Sequence, residues 1–178
     1  MRIVDVLDRL CAALSSSKTV LYLDNNDDRR RMVLEKLSEF LRHTGENVKF
    51  IDMTLLLQDF FRNFDIDKLQ NQLMEIVKYD VVIIDNFDIA LFIKGLRIAL
   101  EASVEAFLEQ GRGSVVLATA GLAMDDPDLK SFLKKIEPYV IVRYEEQEGV
   151  RENKIVAAIK MFVKKFVGNL EGEVVTLV

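Results

Sequence analysis

Acidic and basic side chains crowd one stretch, Asp24-Asn25-Asn26-Asp27-Asp28-Arg29-Arg30-Arg31, directly after the apolar run Thr19-Val20-Leu21-Tyr22-Leu23. A second acid, Asp85, closes the run Val81-Val82-Ile83-Ile84, and Thr119 closes Val115-Val116-Leu117-Ala118. Carboxylates at adjoining strand ends make an oxygen-rich site for a hard divalent cation, which names Asp24 and Asp85 as metal-ligand candidates and Mg²⁺ as the ion of that chemistry. Arginines beside them suit a phosphate or the carboxylates of a partner. Each feature also has an ordinary use: Asp24, Asp27 and Asp28 as turn and cap residues, Arg29, Arg30 and Arg31 as first-turn residues paired with nearby acids, and Asp85 as a turn residue. The ordinary uses are the expected ones, and no resident cofactor is expected.

Composition removes many other chemistries. Cys11 is the single cysteine and His43 the single histidine of the 178 residues, so one chain assembles no disulfide framework, zinc cluster or Ser-His-Asp triad. A net charge of −5 opposes broad electrostatic binding to nucleic acid. The tail lysines Lys154, Lys160, Lys164 and Lys165 are flanked by Glu145, Glu146, Glu148 and Glu152 and are expected to form a solvated face. Asp125, Asp126 and Asp128 would repel a phosphate backbone from the loop they occupy. No apolar run reaches the roughly 18 residues of a membrane-spanning helix, and the N-terminus has acids where a secretory leader is apolar. A single cytoplasmic domain is the expectation.

The elements that must position the candidate residues follow from hydrophobic period. Ile3, Leu7, Leu10, Cys11 and Leu14 recur at helical spacing. The run 19–23 is continuously apolar and β-rich, as strands buried on both faces are, and 48–53, 80–85, 115–118 and 140–144 read as further strands. Between them lie helical patterns with Met32, Val33, Leu37, Phe40 and Leu41, then over 55–61 and 66–78, then over 89–108 as one helix apolar round much of its circumference, and then over 129–136. In the tail, Glu173-Val174-Val175-Thr176-Leu177-Val178 favours antiparallel strands. Strands alternating with helices predict an α/β fold with a mostly parallel sheet and helices on both faces. The ligand site of such a sheet lies at the carboxyl ends of the strands, where the candidate residues sit.

The order of these pieces resembles the RecA/KaiC-like ATPases. Val6-Leu7-Asp8-Arg9-Leu10 precedes the first strand as in that family, the stretch from Arg42 to Asp52 resembles its helix end and second strand, Val81-Val82-Ile83-Ile84-Asp85-Asn86 resembles its Walker B strand, and Val115-Val116-Leu117-Ala118-Thr119 the strand that follows. The resemblance covers roughly residues 3–145 and implies an ATP site with a P-loop after the first strand. That motif, G-x-x-x-x-G-K-[ST], uses glycines to turn backbone N–H groups toward phosphates and a lysine to reach them. The stretch 24–32 has neither glycine nor lysine, and it carries three carboxylates. One carboxylate about 4 Å from a phosphate charge costs about 4 kcal/mol at an effective dielectric near 20. Three outweigh a helix dipole worth under about 2 kcal/mol. Asp52-Met53-Thr54 has no counterpart of the catalytic glutamate that many family members place after the second strand.

The expectation is therefore a RecA/KaiC-like protein that does not hydrolyse ATP and acts as an assembly or regulatory partner, through a protein partner or homo-oligomer and not by direct nucleic-acid binding. Ala90-Leu91-Phe92-Ile93 with Leu96, Ile98, Ala99 and Leu100, and the group Phe60, Phe61 and Phe64, are the apolar surfaces to examine, each with core packing as its plain alternative. Two other classes are weighed. A phospho-receiver would use Asp24 in its acidic turn, Asp85 as acceptor and Thr119 as switch residue, although no lysine occurs in Ile141-Val142-Arg143. A carboxylate-metal phosphatase or nuclease would be built on Asp24, Asp27 and Asp85.

Overall fold

The apolar runs become strands of one sheet in a computed structural model that describes residues 2–121, 126–144 and 173–175. Helix α1 (Ile3–Ser16) leads to β1 (Thr19–Leu23), α2 (Asp27–His43), β2 (Val48–Asp52), α3 (Met53–Asn63) and α4 (Ile66–Met74), which ends in a 3-10 turn (Glu75–Lys78). Then follow β3 (Val81–Asp85), α5 (Asp88–Leu91), α6 (Lys94–Glu109), β4 (Ser114–Thr119), α7 (Pro127–Lys135), β5 (Val140–Arg143) and β6 (Glu173–Val175). The strand order is β2-β3-β4-β1-β5-β6, and every neighbouring pair is parallel.

Alternation along each strand divides the core between two helical layers. Leu21, Leu23, Val82, Ile84, Val115 and Leu117 face α3 to α7, with Leu57, Leu73, Leu100, Val104, Phe107 and Phe132. Val20, Tyr22, Val81, Ile83, Val116 and Ala118 face α1 and α2, with Val6, Leu10, Val33, Leu34 and Leu37. Successive side chains of a strand point to opposite faces, so strands covered on both sides must be apolar throughout.

Two expectations need correction. The pattern over 89–108 is two helices, because Ile93 has extended backbone (φ −114°) between α5 and α6. Both pieces bury residues in the same core, Ala90 and Leu91 in one and Leu96 and Leu100 in the other, and the change of direction between them lets apolar residues spaced round a single helical wheel all reach it. The antiparallel tail is corrected at β6, which runs parallel to β5. The chain between Arg143 and Glu173 is far longer than a hairpin turn, and a parallel neighbour requires such a crossover. The loop residues Met124 and Asp125 and the lysines Lys154, Lys160, Lys164 and Lys165 lie outside the described residues. No helix among the described residues is long and apolar enough to cross a membrane.

One glycine is required by packing. A Cβ on Gly113 would lie 2.7 Å from the Asp80 carbonyl oxygen and press into the Phe107 ring. That carbonyl accepts a bond from Ser114 N at 3.0 Å, which starts the pairing of β3 with β4. Gly113→Ala should lower stability by about 1–3 kcal/mol, as overpacking does, read as a lower urea midpoint at unchanged slope.

Candidate functional site: a buried arginine at the strand ends

Parallel pairing brings the carboxyl ends of the strands to one edge of the sheet. Asp52, Asp85 and Ala118 lie side by side in register, and Thr119 lies beside Leu23. Only Asp24, Asn25 and Asn26 separate β1 from α2. Asn26 caps the helix, its Oδ1 accepting from Arg29 N at 2.9 Å. The polypeptide therefore enters helix at Asp27, in the stretch where a P-loop would still be wrapping phosphate.

Arg30, in the first turn of α2, is 1% exposed and points under the strand ends. Its Nε donates to Asp85 Oδ1 at 2.7 Å, its Nη1 to the Asp24 carbonyl at 3.0 Å and to Asp27 Oδ1 at 2.7 Å, and its Nη2 to Asn86 Oδ1 at 2.6 Å. The planar guanidinium fork thus joins the β1–α2 turn to the end of β3. Asp85 is 2% exposed, and its Oδ1 also accepts from Asn86 N at 2.9 Å. Asp27, though 80% exposed at its side chain, closes the ring from the solvent side.

A second pair flanks the first. Arg29 grips Asp24 with two bonds, Nε to Oδ2 at 2.8 Å and Nη2 to Oδ1 at 2.7 Å. Asp24 is buried and also accepts from Tyr22 Oη at 3.0 Å and Asn26 N at 2.9 Å. The Arg29 guanidinium lies 3.5 Å over the centre of the Tyr144 ring, and Tyr144 N donates to the Leu23 carbonyl at 2.8 Å. Arg31 is exposed and pairs with Glu35 at 3.1 Å, with Asp52 at 3.8 Å. Asp28 is exposed in the same turn of α2, and Thr119 is buried with its carbonyl accepting Asp24 N at 3.1 Å.

Burial sets the titration of the inner pair. It pushes the Asp85 carboxyl above its ordinary value of 3.8, by more than the Arg30 bond and the Asn86 amide pull it down. Burial also opposes the charge on Arg30, but its bonds to Asp85 and Asp27 prevail and hold the guanidinium charged. The Tyr22 hydroxyl is pushed far above its ordinary value by burial and the neighbouring Asp24 carboxylate, so it keeps its proton and donates it to Asp24.

These residues do not fit the Mg-nucleotide that a P-loop holds. The backbone that would present N–H groups to phosphate is already helical, and the guanidinium is committed to protein acceptors. Asp24 and Asp85, proposed as metal ligands, each face an arginine, and among the described residues no group of three or more His, Cys, Asp or Glu side chains is arranged to hold a metal ion. A phosphoacceptor must be reached from solvent, which the burial of Asp85 opposes.

Of the sequence-derived candidates, Asp24, Asp27, Arg29, Arg30 and Asp85 converge, Thr119 adjoins them through its backbone, and Asp28 and Arg31 stand outside. Each of the three arginines pairs with acids, Arg29 with Asp24, Arg30 with Asp27 and Asp85, and Arg31 with Glu35; the burial of Arg30 is what the sequence did not foretell. Asn86, Tyr22 and Tyr144 were missed. The role of Arg30 had a signal: with the first glycine of G-x-x-x-x-G-K-[ST] set at Asp24, the motif lysine falls on Arg30.

Two outcomes follow from this geometry. Arg30→Ala should cost about 3–5 kcal/mol in urea unfolding, because it strands a buried carboxylate, while Arg30→Met combined with Asp85→Asn should recover most of that loss. The contribution of Asp85 is fully present below 3.8 and lost as pH rises through its raised value. Asp85→Asn should therefore flatten the fall of urea midpoint with pH over that window.

No protein-family model matches the sequence, and a search of curated proteins finds no match. Solved structures do match. One is a replication initiator DnaA bound to AMPPCP and single-stranded DNA, at 13% identity and a TM-score of 0.63, covering 92% of this chain and 50% of that one. Another is a DNA replication initiation factor, at 13% identity and a TM-score of 0.57, covering 93% of this chain and 49% of that one. A third is domain III of the Thermotoga maritima replication initiation protein DnaA, at 11% identity and a TM-score of 0.58, covering 93% of this chain and 69% of that one. The chain spans about half the length of the first two. Likeness at this identity establishes the fold and nothing finer: the chain has a mostly parallel α/β fold like that of these ATP-analogue-binding and replication-initiation proteins, and the likeness does not single out the RecA/KaiC branch.

Proposed function

We propose that this chain is a non-hydrolysing relative of the RecA/KaiC-type ATPases that works as an assembly or regulatory protein, partnering a recombinase or related ATPase in the cytoplasm. The observation that carries the reading is Arg30, which donates four hydrogen bonds to Asp85, Asp27, Asn86 and the Asp24 carbonyl at the strand ends, in the turn where the motif would hold phosphate. A chain that keeps the fold and fills its phosphate site retains surfaces as its means of action. In support, Phe61, Phe64, Ile66, Phe92 and Ile98 are all more than half exposed, and large apolar side chains in water favour contacts with other proteins. One of the matched structures carries single-stranded DNA, so nucleic acid belongs in the test as well.

Calorimetric titration with Mg-ATP should show no saturable heat, and a phosphate-release assay no turnover. Saturable binding with turnover would overturn the reading. Fluorescence anisotropy with a labelled single-stranded oligonucleotide, at several salt concentrations, separates the modes of action: salt-dependent saturation would replace protein contact with nucleic-acid contact. If copies of the chain assemble, light scattering gives a mass above 20.4 kDa, and Phe92→Asp should restore the monomer.

A further inference from the structure

Asn86 has a left-handed backbone (φ 54°), uncommon outside glycine and sustained only where the surroundings hold it. Its side-chain oxygen accepts from Arg30 Nη2 at 2.6 Å, its N–H donates to Asp85 Oδ1 at 2.9 Å, and its carbonyl accepts from Ile89 N at 3.1 Å. The last of these bonds opens α5, and the next residue, Phe87, is fully buried with its N–H on the Ala118 carbonyl at 3.3 Å. The direction of α5 therefore depends on Asn86, and Asn86 is gripped by Arg30. At the far end of α5, Phe92 is 72% exposed.

We infer that the Arg30 guanidinium is this chain's own ligand: by bridging the β1–α2 turn to the β3–α5 turn it holds α5 and the exposed Phe92 in one arrangement without nucleotide. Four of its N–H contacts reach protein acceptors on both turns, so the two turns are tied by a group that cannot dissociate. A phosphate ligand would make the same kind of bridge only while bound. The apolar surface around Phe92 is in consequence permanently presented, and its presentation does not respond to nucleotide. This rests on the reading above that the strand-end site takes no nucleotide.

Hydrogen exchange of the full chain tests the tie. Arg30→Lys keeps a charge but cannot reach Asp85, Asp27, Asn86 and the Asp24 carbonyl together. It should raise exchange over 86–91 by about tenfold, the scale of one lost bond to a charged group, and leave α4 unchanged. Arg30→Ala opens space for a free guanidinium ion, so low-millimolar guanidinium chloride should restore protection over 86–91, whereas equal urea should not. Unchanged exchange over 86–91 in Arg30→Lys, or equal responses to guanidinium and urea in Arg30→Ala, overturns the inference; should Arg30→Ala not fold, Arg30→Lys decides alone. Wild type with Mg-AMPPCP separates the two readings. Binding heat with unaltered exchange over 86–91 defeats the non-binding reading and spares the tie, while silence towards nucleotide together with a silent Arg30→Lys defeats the tie and spares the reading.

Discussion

The contact between Arg30 and Asp85 governs the organisation of the strand ends. Two opposite charges are removed from water at a separation of 2.7 Å, and desolvation at such a site offsets much of the Coulomb attraction. What makes the burial tolerable is the full set of acceptors: Asp27, the Asp24 carbonyl and Asn86 take the remaining reach of the fork, and the Asn86 amide supports the carboxylate. Burial still displaces the Asp85 carboxyl upward despite these partners. The placement of α2 against β3 gives four guanidinium N–H groups a protein acceptor.

That arrangement changes what the fold can do. In an open parallel sheet the carboxyl ends of the strands form the customary ligand crevice, and helix N-termini there favour anions. Here α2 begins immediately after a three-residue turn, and the polar groups of the crevice are matched to one another, arginine to aspartate, with Tyr22 and Tyr144 flanking the outer pair. The crevice is consumed internally. Exposed apolar side chains lie elsewhere, at Phe61, Phe64 and Phe92, on the elements of the side carrying α3 to α6.

The likeness to replication initiators and the sequence resemblance to RecA/KaiC-like ATPases agree at the level of fold, where both describe a central parallel sheet flanked by helices. Within the sheet, β1 lies between β4 and β5, and β4 separates it from the acid-ending β3. The span from Asp24 to Asp85 is therefore bridged by the long side chain of Arg30 and not by direct contact of the acids.

Much of this was legible in the residues alone. Continuous apolar runs at 19–23, 81–84 and 115–118 require cover on two faces, which specifies a parallel α/β sheet, and a stretch 24–32 without glycine or lysine does not carry the phosphate-loop motif. Local pattern could not separate Arg29, Arg30 and Arg31, since three consecutive arginines look alike along the chain. They lie about 100° apart round the helix, and only the packing of α2 on the sheet turns Arg30 inward, Arg29 toward Tyr144 and Arg31 to solvent. The break at Ile93 and the parallel course of β6 were hidden for the same reason. Each is decided by what an element packs or pairs against far along the chain, whereas the sequence by itself determines only which side chains need burial and which polar groups need partners.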